Sequence, residues 1–291
     1  FMSYNYLPLD KKQLYFDQVK NLLDFEQLVS ITFDAHEKIL KCREYLDKKI
    51  SYGVLIEGIN LHQNEKIATT QIEQFQYNLL ISNAQKTDNE QPTAIVKLML
   101  MLKIKSLGYG YSGVGIDTVK RLMEMYNNGM LPVVYSDILL GDKSALSQLA
   151  LPLIGLGDVY FKGEKMPSAK AMILLDWQPL KLKSKEAFAL INGTQFTTAY
   201  GLFCLKNSEE LVLKSDEVTV TSAAMANAIK DAYNYVLQVF MKEANTVTDY
   251  PLIFPDKDLI VSDGDSSNKH LILALQFLNN AISQLPIKSI N

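Results

Sequence analysis

The 291-residue chain has only two cysteines, three histidines and one tryptophan. Cys42 and Cys204 stand far apart and lack metal-type spacing. A disulfide framework is therefore not expected, and both read as reduced structural thiols. His36, His62 and His270 lie in unrelated contexts with no pair at i,i+4, so no metal site is legible and they read as surface or capping residues. Long apolar runs are also missing: Leu98 to Leu102 is far short of the ~20 residues that span a bilayer. Basic clustering is weak. Lysine and arginine number 29 against 32 aspartates and glutamates, a net charge of -3, and the densest stretch, Lys181 to Lys185, holds three lysines. Phosphate binding needs clustered cations, so neither a nucleic-acid nor a membrane partner is expected. The first ten residues carry no basic segment followed by an apolar one, which leaves a cytoplasmic protein as the expectation.

What is present is globular. Hydrophobic residues make up 48% and charged residues 21%, enough to build a sizeable core. Helical periodicity dominates. Thr93 to Leu107 is apolar on most faces, as in a helix buried within a bundle. Asp117 is expected to cap a helix bearing Val119, Leu122, Met123 and Tyr126 on one face, with Gly129 closing it. Ser222 to Asn245 lacks Gly and Pro and carries Ala226, Ile229, Ala232, Tyr233, Val236 and Phe240 as a stripe, so it should be the longest helix. A further helix is expected from about Lys269 to Leu285, with Leu271, Leu275, Phe277, Leu278 and Ile282 turned inward. Lys49 to Asn60 has few helix signals, and Tyr135 to Gly141 links helical patterns. Val159 to Glu164 reads as a small hairpin. Gly108-Tyr109-Gly110-Tyr111-Ser112-Gly113 has the spacing of a dinucleotide fingerprint but follows a buried helix rather than a strand, so it reads as a helix-ending turn.

Three stretches carry more polar and turn-forming chemistry than plain structure needs: Ser51-Tyr52-Gly53-Val54, Ile191 to Gln195, and Glu243 to Pro251. Each alone reads as caps and turns. In this order, with their neighbours, they resemble the histidine and aromatic amino-acid ammonia-lyase family. Tyr52-Gly53-Val54 with Gly58 is similar to its Tyr-Gly-Val-x-x-Gly loop, and Gln76 to Ser82 to its next helix. Lys105-Ser106-Leu107 followed by Gly110-Tyr111-Ser112-Gly113-Val114 is similar to its Asn-Ser-Leu and Gly-x-Ser-Gly block. Lys185 to Gln195 is similar to Lys-Glu-Gly-Leu-Ala-Leu-Ile-Asn-Gly-Thr-Gln, and Glu243 to Phe254 to Glu-Ala-Asn-x-x-x-Asp-Asn-Pro-Leu-x-Phe. The resemblance runs from about residue 14 to the end. It implies a mainly α fold, a helical-bundle core with a small mixed α/β N-terminal region. Residues 1–200 would form the mixed region carrying the lyase-like loops and residues 201–291 a shortened helical region, sharing one continuous core.

The resemblance also implies a site. Members build a methylidene-imidazolone (MIO) electrophile by cyclising an internal Ala-Ser-Gly. The matching positions here are Leu139, Leu140 and Gly141, followed by Asp142. Leu140 stands where the serine should be and has no hydroxyl to lose, so the MIO group is expected to be absent, and with it the mechanism it carries. Tyr52 matches the family's general base and Asn192 the residue that hydrogen-bonds the prosthetic group. Without the electrophile, Asn192 is expected to tie the backbone of Ile191 to Gln195. Gly58, Asn83 and Gln195 match substrate-binding positions, Asn83 standing where members usually carry a histidine. The Gly-Gly-Asn-Phe-His stretch has become Asp263 to Ser267. A block bearing a substrate-binding Tyr and Arg, expected between about Ala226 and Tyr235, is missing, and the sequence stops at Asn291 where members continue. Because members are tetramers, the expectation is a degenerate relative that acts as an interaction or scaffold subunit. It would be a homo-oligomer or a hetero-oligomer with a lyase-like partner. The alternative is an MIO-independent lyase, dehydratase or isomerase taking an acyl or amino-acid ligand, with Tyr52 as base and Asp142, Lys143 and Asp265 as acid–base groups.

Overall fold

The computed structural model of the chain describes residues 6–63, 65–213, 222–262 and 267–285. Eleven helices are present among them: α1 (Phe16–Asp24), α2 (Phe33–Ser51), α3 (Ile72–Asn83), α4 (Thr93–Leu107), α5 (Ile116–Asn127), α6 (Asp142–Ala150), α7 (Ser168–Leu174), α8 (Glu186–Ile191), α9 (Gln195–Leu213), α10 (Ala223–Ala244) and α11 (Lys269–Ile282). Strands are short and serve as edges rather than a central sheet. β1 (Tyr6–Leu9) pairs in parallel with β2 (Leu28–Ile31), and β3 (Leu61–His62) antiparallel with β4 (Glu65–Lys66). β5 (Leu131–Pro132), β6 (Asp158–Phe161) and β7 (Glu164–Pro167) form an antiparallel trio, and β8 (Leu252–Phe254) pairs with β9 (Leu259–Val261). The protein is mainly α, as expected.

Helix α4 is the buried axis, with every residue from Leu98 to Leu107 inaccessible to solvent. It packs against α5 and α9, while α10 packs against both α9 and α11. Apolar side chains from Leu7 to Leu285 join one core cluster, and α9 runs unbroken through residue 200. A smaller cluster of Cys42, Leu46, Ile56, Ile59 and Ile253 lies under α2. Where α9 meets α10 the backbones come close: a Cβ at Gly201 would lie 2.0 Å from the Phe240 ring. Only glycine permits that approach.

Several expected elements are present with shifted boundaries. The hairpin over 159–164 exists, and its turn, Lys162-Gly163, has positive φ at both residues (52° and 81°), the twist that a two-residue hairpin needs. Ser222 caps α10 by accepting the Met225 N–H, and this is the longest described helix at 22 residues. Helix α2 extends into the region read as loop, reaching Ser51, with Lys48 and Lys49 favourably placed at its C-terminal end. Asp117 is not the cap of α5. That helix starts at Ile116, with Gly115 at the N-cap, and its start is held by a distant side chain. Glu186 accepts from Gly115 N at 2.8 Å and Thr118 Oγ1 at 2.7 Å. On α11 the core-facing stripe is Leu271, Ala274 and Leu278, which leaves Phe277 half exposed rather than inward, because it lies about 100° round the helix from Leu278.

A buried ion pair and its hydrogen bond join three of the family-like blocks. Lys185 Nζ meets Asp249 Oδ2 at 2.8 Å, and Ser112 Oγ donates to Asp249 Oδ1 at 2.9 Å. Both charged side chains are shielded from water. Removing one partner strands the other charge, which costs about 3–5 kcal/mol. Asp249→Ala should therefore lower the urea midpoint by that equivalent; a loss below about 1 kcal/mol would mean that the pair is not the junction described.

Candidate functional site

Helix α8 is the meeting point of the family-like blocks. Its first residue, Glu186, holds the start of α5, and Lys185 just before it holds Asp249. Ala187 N donates to Gln76 Oε1 of α3 at 2.7 Å. The Phe188 ring covers Gly58, where a Cβ would sit 3.4 Å from it. Beyond the helix, the Ala189 and Asn192 carbonyls accept from Lys103 Nζ of α4 at 3.0 and 2.8 Å. Complete burial lowers the Lys103 amine to about 7. Lys105, on the carbonyls of Asp10 and Lys12, is lowered by burial to about 8. Lys103 has no place in the family-like blocks, and Lys105 enters them only as a motif position, not as a buried cation. Their signal was the charge inside an otherwise apolar helix.

The segment 138–142 lies against the start of α9. A short 3₁₀ turn, Ile138–Leu140, ends at Gly141, whose φ of 84° lets α6 begin at Asp142. Asp142 is buried and accepts from Thr197 N at 2.8 Å and Thr197 Oγ1 at 2.7 Å. Asn268 Nδ2 bridges Thr197 Oγ1 and the Ile138 carbonyl. Leu139-Leu140-Gly141 and Asn192 to Gln195 are thus brought to one region through Asp142, Thr197 and Asn268. The leucine side chains, however, turn outward, and each residue is 70% exposed.

Asn192 is 1% exposed, yet neither its Oδ1 nor its Nδ2 finds a hydrogen-bond partner among the described residues. The expected tie from this amide to the loop backbone is not formed. The loop is held instead through the Asn192 carbonyl and Lys103, so the side chain is not needed for the task. Gln195 is also buried, its Oε1 unpartnered and its Nε2 3.4 Å from Thr248 Oγ1. Three orphaned polar atoms within four residues of chain need an explanation in a native fold. Asn83 ends α3 and donates to the Leu79 carbonyl at 2.8 Å.

Tyr52, unlike Asn192 and Gln195, lies at the surface. It follows the last residue of α2, is 72% exposed, and its ring meets the Lys48 ammonium at 5.9 Å. Of five surface cavities delineated, none is lined by Tyr52, Leu140 or Asn192, whereas Leu139 borders one between α9 and α11. Lys143 follows Asp142 on α6, and Asp265 lies outside the described residues. Cys42 and Cys204 are free thiols, and burial pushes Cys42 up to about 11, which removes it as a nucleophile. No described helix is long and apolar enough to cross a membrane.

Comparison with known proteins gives the family. The aromatic amino acid lyase family model matches residues 14–234, and the chain belongs to that family. It is 28% identical to the histidine ammonia-lyase of Staphylococcus saprophyticus, over 96% of this chain and 69% of that one. It is 32% identical to the histidine ammonia-lyase of Staphylococcus aureus, over 79% of this chain and 47% of that one. By structure it is similar to the ergothioneine-degrading ergothionase of Treponema denticola (TM-score 0.88, 22% identity, 96% and 69% coverage). It is also similar to the histidine ammonia-lyase of Trypanosoma cruzi (TM-score 0.86, 23% identity, 95% and 65% coverage). The chain spans from under half to just over two thirds of these relatives' lengths. The match to the Staphylococcus saprophyticus enzyme runs over 347 positions against 291 residues here, so at least 56 of those positions have no counterpart in this chain.

Two expectations follow. Burial raises the Asp142 carboxyl from 3.8 to about 6, above its unfolded value, so the folded state holds this proton more tightly. Its stabilising contribution is full below about pH 4 and is lost as pH rises to about 6. Between those limits wild type should lose stability relative to Asp142→Asn by the order of 2–3 kcal/mol, measured by urea unfolding at a series of pH values. Parallel curves for the two proteins would contradict the assignment. Asn192→Leu removes two unsatisfied polar atoms and keeps the carbonyl that Lys103 holds, so the melting temperature should be unchanged or higher. A marked fall would mean that the amide has a partner, such as internal water.

Proposed function

We propose that this chain is an aromatic amino acid lyase relative without ammonia-lyase activity, and that it serves as an interaction or scaffold subunit. The observation that carries the reading is the peptide Leu139-Leu140-Gly141, at the position that resembles the cyclising tripeptide. The methylidene carbon of MIO comes from a dehydrated serine side chain, and leucine cannot supply it. The residues present therefore do not fit the group, although Asn192 keeps an unpartnered amide at the neighbouring loop. No step through that electrophile is available to this sequence.

Two further features support the reading. Tyr52, the candidate base, is mostly in water, where nothing excludes solvent from a proton transfer. Leu139 spreads apolar surface beside Ile138, Tyr200, Leu275 and Ile282, with Leu140 exposed next to it in sequence, a patch of the kind that meets another protein. The partner is either a second copy of this chain or a lyase-like chain.

Purified protein should release no ammonia from histidine, phenylalanine or tyrosine, and its intact mass should equal that of the unmodified sequence. Ammonia release, or a mass short by two waters, would refute the proposal. The subunit role is tested separately by light scattering, alone and mixed with a lyase-like partner. A monomer under both conditions would exclude it.

A further inference from the structure

Lys103, in the buried axis α4, is 1% exposed and has no carboxylate within hydrogen-bond distance among the described residues. Its Nζ donates to two carbonyls: Ala189 O at 3.0 Å, in the last turn of α8, and Asn192 O at 2.8 Å, at the C-cap of that helix. Three charged groups act on it: Asp249 after α10, Asp142 at the start of α6 and Lys185 before α8. Both carboxylates are engaged elsewhere. Asp249 bonds Lys185 with one oxygen and Ser112 with the other, and both Asp142 oxygens accept from Thr197. Lys185 repels. Among the described residues, α1, α5, α9 and β5, which also pack on α4, bring no charge to it.

A neutral amine has two N–H donors and an ammonium has three. Two carbonyls therefore satisfy every donor of the amine. They leave the ammonium with an unpaired N–H in a core closed to solvent, where a charged donor without an acceptor is costly. One idle acceptor is at hand. Asn192 Oδ1 is buried without a partner, and it belongs to the residue whose carbonyl Lys103 already holds.

We propose that Lys103 is a proton-operated switch inside the fold. As an amine it holds the end of α8 through two carbonyls and leaves the Asn192 amide idle. As an ammonium it draws Asn192 Oδ1 in as a third acceptor and reshapes the loop that opens α9. The proton comes from solvent, and no covalent bond between heavy atoms is made or broken. The inference does not depend on whether any lyase chemistry survives.

Burial sets the direction. The folded amine is lowered to about 7, whereas an unfolded lysine keeps its proton to about pH 10.4. Between those values the unfolded chain binds more protons, so stability rises with pH. Below about 7 both states are charged and the contribution is flat at its lowest.

The test is NMR of the full chain labelled with carbon-13 at lysine Cε, with Lys103→Met identifying the Lys103 signal and separating it from Lys105, which burial also lowers. Lys103 should titrate with a midpoint near 7, and the Asn192 side-chain amide should shift with the same midpoint. Asn192→Leu, which removes the third acceptor, should lower the Lys103 midpoint by about one unit, a tenfold loss of proton affinity. At about pH 9, where the amide is idle, that variant should melt no lower than wild type. In urea unfolding between about pH 8 and 10, the wild-type folding constant should rise about tenfold per pH unit relative to Lys103→Met. If Lys103→Met does not fold, the wild-type titration and the Asn192→Leu shift still decide. A Lys103 midpoint above about 9 would overturn the proposal. So would a midpoint unmoved by Asn192→Leu, because the ammonium would then take its third acceptor from another group.

Discussion

The buried contact of Lys185 with Asp249 is the constraint on which the arrangement of this molecule rests. An ammonium without water must have a carboxylate, and this carboxylate must also accept from Ser112. One interaction therefore fixes three distant pieces of chain: the loop before α8, the turn after α4 and the segment after α10. Glu186, the next residue, repeats the device toward α5, and Lys103 repeats it toward the loop after α8. The short helix α8 is held from all sides by side chains of other elements. The motif residues that look catalytic by resemblance owe much of their retention to this work.

The polar cradle and the reactive peptide have separate fates. The cradle is intact where it is structural: Asp142 still caps the start of α9 through Thr197, and Gly141 still turns the chain into α6. What it surrounds has changed. Leucines at 139 and 140 face water, and the Asn192 amide is left buried without a partner. A buried amide with nothing to bond costs stability, so this position is one where replacement by an apolar side chain is tolerated. The cradle's hydrogen bonds run through carbonyls and carboxylates, so they do not depend on the residues at 139 and 140.

Much of the fold was legible in the residues. The apolar run of α4, the uninterrupted stripe of α10 and the Lys162-Gly163 turn each follow from local chemistry, and each is found. The blocks around Tyr52, Ser112, Asn192 and Asp249 were legible as a set. The site itself was less so. Periodicity on α11 could not separate Phe277 from Leu278, since both fit an apolar stripe and only the packing of α10 chooses between them. The start of α5 could not be read either, because it is held at Gly115 and Thr118 by Glu186, about 70 residues away in sequence. Lys103 and Lys105 were invisible as buried cations, since an amine inside an apolar helix is stable only when carbonyls from other segments converge on it.

By itself the sequence determined the family, the helical class, and the absence of a serine at position 140. Composition, period and ordered motifs are properties of the chain alone. Only the tertiary structure decided that Leu139 and Leu140 are exposed, that Tyr52 lies in water while Asn192 is buried, and that His270 is anchored through Glu243 to Thr194. Each of these depends on which distant groups meet and on how much water remains between them. Long-range packing sets both.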